Sequence, residues 1–295
     1  MSTLTASPAA ATTTPQASPL VMRILGACAL AHLINDLIQA VLPSIYPMLK
    51  ANYGLTFAQV GMITLTFQLT ASLLQPWVGY HTDRHPKPWL LPAGSICTLI
   101  GIVMMSMVGS FPLILLAAAL IGIGSSTFHP EASRIARLAS GGRFGLAQST
   151  FQVGGNAGSA FGPLLAAAII IPFGQGHVAW FGLFAVFALF VLYRISRWYA
   201  NHLNLFKLKQ GHAATHGLSK NRVIGALVVL GLLVFSKYFY MASLTSYFTF
   251  YLIEKFDLSV ASSQLHLFLF LGAVAAGTFF GGPIGDKIGR KAVIW

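Results

Sequence analysis

His32, Asn35, Asp36 and Gln39 fall at i, i+3, i+4 and i+7, which places them on one face of a helix. They offer a carboxylate that can carry a proton, with an imidazole and two amides that can bind a polar solute. The stretch around them is apolar, and an ionisable group in hydrocarbon costs several kcal/mol unless it faces a cavity or a partner. A second stripe, Gln148, Gln152 and Asn156, has the same helical spacing, and a third is formed by Lys237, Tyr240, Tyr247 and Tyr251. Lys237 is suited to hold an anionic group, with Tyr240, Tyr247, Gln152 and Asn156 lining the same space. His129-Pro130-Glu131 is either a proton relay or a helix-end cluster in which Glu131 pairs with Arg134 or Arg137. His129 and Glu131 supply only two ligands, so no metal site and no cofactor is expected.

The elements that position these residues are spanning helices. The chain is 56% hydrophobic and 8% charged, where a soluble domain has about 25% charged residues. The apolar runs are about 20 residues long, enough to cross a bilayer. The periodicity predicts eight spans, at 22–49, 57–80, 89–108, 112–138, 144–171, 178–199, 222–253 and 261–284, with a ninth starting at Lys291. Residues 1–20, rich in Ser, Thr, Ala and Pro, read as a disordered tail. The net charge of +12 comes from basic residues clustered in alternate loops. That pattern marks the inner side of a membrane protein and argues against nucleic acid. It puts the N-terminus and the 200–221 linker in the cytoplasm, and the loops near Asn52 and Asp257 outside. Cys28 and Cys97 lie in apolar segments and read as small buried side chains. No cluster of nucleophile, base and metal ligands at one depth suggests an enzyme.

A signature occurs twice. Gly79-Tyr-His-Thr-Asp83-Arg84 is repeated as Gly282-Pro-Ile-Gly-Asp286-Lys287-Ile-Gly289-Arg290, with the aspartates 203 residues apart. The same offset carries Leu55-Thr56 onto Leu258-Ser259. Such a duplication points to a transporter built from two parallel halves. Residues 21–199 then form a six-helix bundle, and 222–295 open a second bundle with only its first two helices, so the chain is expected to be truncated. The offset also places Lys237 within two residues of the repeat position of Asp36, which predicts that the two face each other across a central cavity.

The duplicated signature resembles the loop motif of the major facilitator superfamily, GxxxDRxGRR; the first copy departs from it at His85-Pro86-Lys87-Pro88. Gly158-Ser-Ala-Phe-Gly162-Pro163 resembles the GxxxGP element on helix five of proton-driven exporters in that superfamily. Ala31-His-Leu-Ile-Asn-Asp36, Phe128-His-Pro-Glu-Ala-Ser-Arg134, Gln152-Val-Gly-Gly-Asn156 and Phe235-Ser-Lys-Tyr-Phe-Tyr-Met241 look like the bacterial fosmidomycin-resistance exporters. The resemblance implies an all-α membrane protein with twelve helices, about eight present here, in the bacterial inner membrane. It implies an antiporter that expels drugs such as the phosphonate fosmidomycin in exchange for protons, acting as a monomer on small molecules. Asp36, Glu131 and His129 would couple the proton, and both loop signatures would gate. The alternatives are an importer of a small organic anion or nutrient on the same fold, and an inactive fragment.

Overall fold

The computed structural model describes residues 20–203 and 219–288, the last eight by backbone alone. Eight of its helices are long and apolar enough to span a membrane. They are α1 (Met22–Ser44), α2 (Phe57–Arg84), α3 (Leu90–Met107), α4 (Phe111–Ala139), α5 (Phe144–Phe173), α6 (Gln175–Asn201) and α7 (Lys220–Phe256), then α8 (Val260–Ile288). The tail up to residue 19, most of the linker and the start of the ninth span lie outside the described residues.

The repeat reaches the backbone. Thr56 accepts from the N–H of Gln59, and Gln59 Oε1 accepts from the N–H of Thr56, a capping box that starts α2. Ser259 caps α8 through the N–H of Ser262, and α2 and α8 begin 203 residues apart. Just before these caps, Gly54 and Asp257 both sit in the left-handed region, at φ 60° and 51°, each ending the preceding helix. The halves differ where proline intervenes. The predicted first span runs to residue 49, but α1 stops at Ser44 and a short helix, Tyr46–Tyr53, follows. Pro43 and Pro47 lack the N–H groups that would continue the ladder; α7 has Ser246 and Phe250 at the same repeat positions and runs through.

Small residues set the packing. A Cβ on Gly154, Gly158 or Gly162 would strike Ala29, Leu33, Leu37 or Ala40 of α1, so α5 and α1 lie backbone to backbone. Gly94 and Gly101 on α3, with Gly122 and Gly124 on α4, do the same for that pair and for α2, where Thr70 fills the space beside Gly122. Two π-helical turns, Leu69–Leu73 in α2 and Ala166–Ile170 in α5, interrupt these helices, the first at Thr70, beside Gly122. α4 continues unbroken through Pro130. α8 packs on α5 and on α7, and the last third of α7, where Ser246, Thr249, Phe250 and Leu252 are buried, meets α1, the Tyr46–Tyr53 helix and, through Thr64 and Phe57, α2. Residues 220–240 of α7 are almost entirely exposed.

Candidate functional site

Asp36 projects from α1 into a cluster completed by α4 and α5. Its Oδ2 lies 3.3 Å from His32 Nε2, and its Oδ1 lies 3.8 Å from His129 Nε2. Oδ1 also accepts from Asn35 Nδ2 at 3.1 Å and Gln39 Nε2 at 3.3 Å. Gln39 in turn accepts from Ser125 of α4 at 3.2 Å. His32 is buried, with its ring stacked on Phe151 at 4.0 Å and edge-on to His129 at 5.1 Å. The side chains of Asp36 and His129 keep 18% and 25% exposure, so the cluster is open on one side.

The hydrogen bonds fix where a proton must be. His32 Nδ1 is 2.7 Å from the carbonyl oxygen of Phe151, and a carbonyl only accepts, so Nδ1 carries the hydrogen. Nε2 and the Asp36 carboxylate then face each other across 3.3 Å. Unless a proton sits in that gap, a nitrogen lone pair opposes an anion in a nearly buried place, which is strongly unfavourable. The pair therefore holds one proton, whichever partner carries it. Gly155 makes this possible, because a Cβ there would press on the His32 ring and lie 2.7 Å from Asp36 Oδ2.

A second cluster closes the basic end. Arg134 donates to Glu131 at 2.5 Å, to Asp83 at 2.5 Å, to Thr82 at 3.0 Å and to the carbonyl of Gly79 at 3.4 Å. Glu131 is fully buried and its Oε2 has no hydrogen-bond partner among the described residues, whereas Asp83 is 62% exposed, so the Glu131 arm is the stronger of the two. One guanidinium fork thus ties α4 to the loop signature of α2. Arg84 is not part of it and stacks on Tyr80 at 3.6 Å. Arg134→Lys will keep the charge but lose the fork; a fall of several degrees in the melting temperature in detergent is expected, with no fall counting against this role.

Several expected residues lie apart. Lys237 sits on the exposed part of α7, its ammonium 5.4 Å from the Tyr238 ring. It forms no ion pair with a described carboxylate; the partners of Asp36 are His32 and His129. Tyr240 is exposed on the same helix. Tyr247 bonds the carbonyl of Phe57 at 3.4 Å, at the end of the molecule opposite the basic one. Gln152 and Asn156 bond each other at 3.4 Å. Pro163 lies inside α5 three residues before its π turn. Gly282, Asp286 and Lys287 have backbone only, and Gly289 and Arg290 lie outside the described residues. Sequence reasoning missed Phe151, Ser125 and Gly155 as parts of the Asp36 cluster.

Residues 28–295 match the Major Facilitator Superfamily over nearly the whole chain. The chain belongs to this superfamily. A relative in Escherichia coli (strain K12), the fosmidomycin resistance protein, is 61% identical over 272 residues, covering 92% of this chain and 67% of the relative. An uncharacterized MFS-type transporter of Bacillus subtilis (strain 168), YfnC, is 38% identical over 278 residues, covering 93% and 67%. These matches place the chain in the fosmidomycin-resistance branch. Among solved structures, an inward-facing bacterial homolog of the human lysosomal transporter Spinster superposes with a TM-score of 0.67 at 18% identity, covering 93% of this chain and 63% of that one. The chain thus spans about two thirds of the length of the proteins it matches. It is a multi-pass membrane transporter of small molecules, in a family of transporters and not of enzymes.

Proposed function

We propose that the transporter exports small anionic drugs such as the phosphonate fosmidomycin from the cytoplasm in exchange for protons. The observation that carries the reading is the His32–Asp36 gap, a one-proton site open to the solvent side in a family that moves small solutes. The Gly158-Ser-Ala-Phe-Gly162-Pro163 element on α5, which resembles the GxxxGP element of proton-driven exporters, and the name of the Escherichia coli relative support export over import. Asp36 with His32 carries the proton, His129 and Glu131 extend the path toward the basic end, and Asn35, Gln39, Gln152 and Asn156 border the solute. Lys237 and Tyr240, exposed on α7, meet the anionic group when the halves close on it. Asp83 and Arg84, with Asp286, Lys287, Gly289 and Arg290 in the second copy, gate the cytoplasmic side. Residues 21–199 act as one bundle, and α7 with α8 belongs to a second.

Inside-out vesicles test it. With an acid lumen, the protein will accumulate a radiolabelled phosphonate, and a protonophore will abolish the accumulation. Accumulation that ignores the protonophore would overturn proton coupling. Movement only out of the lumen would favour the importer reading. The same vesicles set the orientation. A single cysteine near position 210 will react with an impermeant maleimide, and cysteines near 52 and 257 will not; the reverse pattern would reject a cytoplasmic N-terminus in the inner membrane.

A further inference from the structure

We propose that His32, Asp36 and His129 form a binding site for a divalent transition cation, Zn²⁺ foremost, with one coordination position open to solvent. One nitrogen from each histidine and a carboxylate oxygen all lie within 4.8 Å of one another. In a tetrahedral zinc site with bonds near 2.0–2.2 Å, ligand atoms stand about 3.3–3.5 Å apart. The separations here are 3.3 Å from His32 Nε2 to Asp36 Oδ2 and 3.8 Å from His129 Nε2 to Asp36 Oδ1, with one donor atom from each of the three residues inside a 4.8 Å span. The His129 ring, on the partly exposed side, and the carboxylate must turn to bring the three donors to the tetrahedral spacing.

The surroundings of the three ligands carry the inference further than distance alone. A metal-bound histidine as a rule donates its other ring N–H to a carbonyl or carboxylate, which fixes the tautomer and aims the free nitrogen. His32 already does so through Nδ1 to Phe151, leaving Nε2 aimed at Asp36. The carboxylate is oriented by Asn35 and Gln39, and Gln39 is held in turn by Ser125. Two imidazoles and one carboxylate suit zinc, nickel or copper and not the oxygen-seeking magnesium or calcium. Three protein ligands with exposure left on Asp36 and His129 describe an open site, in which the fourth position takes water or an oxygen of a solute. The Glu131 carboxylate is not a fourth ligand, because Arg134 holds it. A bound ion would occupy the gap that the proton occupies, so metal and transport exclude each other there. The metal site does not rest on proton-coupled export, since binding is read without transport.

The test uses the purified, metal-stripped protein. Titration with ZnCl₂ by calorimetry is expected to show one tight event, and Co²⁺ to give the visible bands of a four-coordinate site. His129→Ala removes a ligand yet leaves the His32 contacts to Phe151 and Asp36, so it should stay folded by melting temperature while binding Zn²⁺ at least tenfold more weakly. His32→Gln serves as the second variant. The exposed pair His81 and His85, with rings 5.4 Å apart, is the surface competitor, and His81→Ala with His85→Ala should leave the event intact. The proposal fails if the wild-type protein binds no Zn²⁺. It fails equally if both single variants bind as tightly as wild type, or if only the His81 and His85 double variant loses the ion.

Discussion

Asp36→Asn will stop uphill export while leaving the fold and passive exchange in place. The amide has the shape of the carboxylate, and its Nδ2 can donate to His32 Nε2 across the gap that is now 3.3 Å. The His32 bond to Phe151 is untouched, so the melting temperature should hold. What the amide cannot do is bind and release a proton in the working range. In proteoliposomes with an imposed pH gradient, accumulation should fall to the level of empty vesicles, whereas exchange of labelled for unlabelled substrate without a gradient should continue. Gln39→Ala is the contrasting case: it removes one of the hydrogen bonds to Oδ1 but not the proton, so transport should weaken and stay coupled. Uphill export at the wild-type rate in Asp36→Asn would remove Asp36 as carrier. Glu131, buried with one oxygen unpartnered among the described residues, is the group to examine next.

The spans were legible because each is a run of apolar residues, and helix length in a membrane is set by bilayer thickness. Thr56 and Ser259 mark two starts in the sequence as clearly as in the structure. The π turns in α2 and α5 were not legible, since they answer to packing between helices and not to local composition. The polar face of α1 could be read from period alone, but its partners could not. Phe151 contributes a backbone carbonyl, Gly155 contributes the absence of a side chain, and neither announces itself in a list of polar residues. A repeat offset equates depth along two helices but says nothing of the direction each side chain takes around its axis, so the contacts of Asp36 with His32 and His129 could not be read from the offset that relates Asp36 to Lys237. The pairing of Glu131 with Arg134 was one of two open readings; a spacing of three residues on a helix allows it.

Two neighbouring glycines of α5 should separate folding from function. At Gly158 an added Cβ would run into the carbonyl oxygen of Leu33 and lie 2.9 Å from the backbone nitrogen of Leu37. Backbone atoms of a packed helix cannot move aside, so Gly158→Ala must push α5 away from α1 along the face they share. Overpacking of this kind costs about 3 kcal/mol, and poor membrane yield with early melting in detergent is expected. At Gly155 the obstacles are the His32 ring and Asp36 Oδ2, ends of side chains that can shift. Gly155→Ala should therefore fold but spread the His32–Asp36 gap, lowering proton-driven export while the melting temperature moves little. Gly26→Ala is the reference, because nothing lies within 4 Å of its added methyl and a helix prefers alanine to glycine. Measured side by side for yield, melting and transport, the three variants should rank Gly158 worst in stability and Gly155 worst in transport per folded molecule. If Gly155→Ala transports as well as Gly26→Ala, then the tight seat around His32 and Asp36 is not needed for coupling, and the proton site must be sought elsewhere in the bundle.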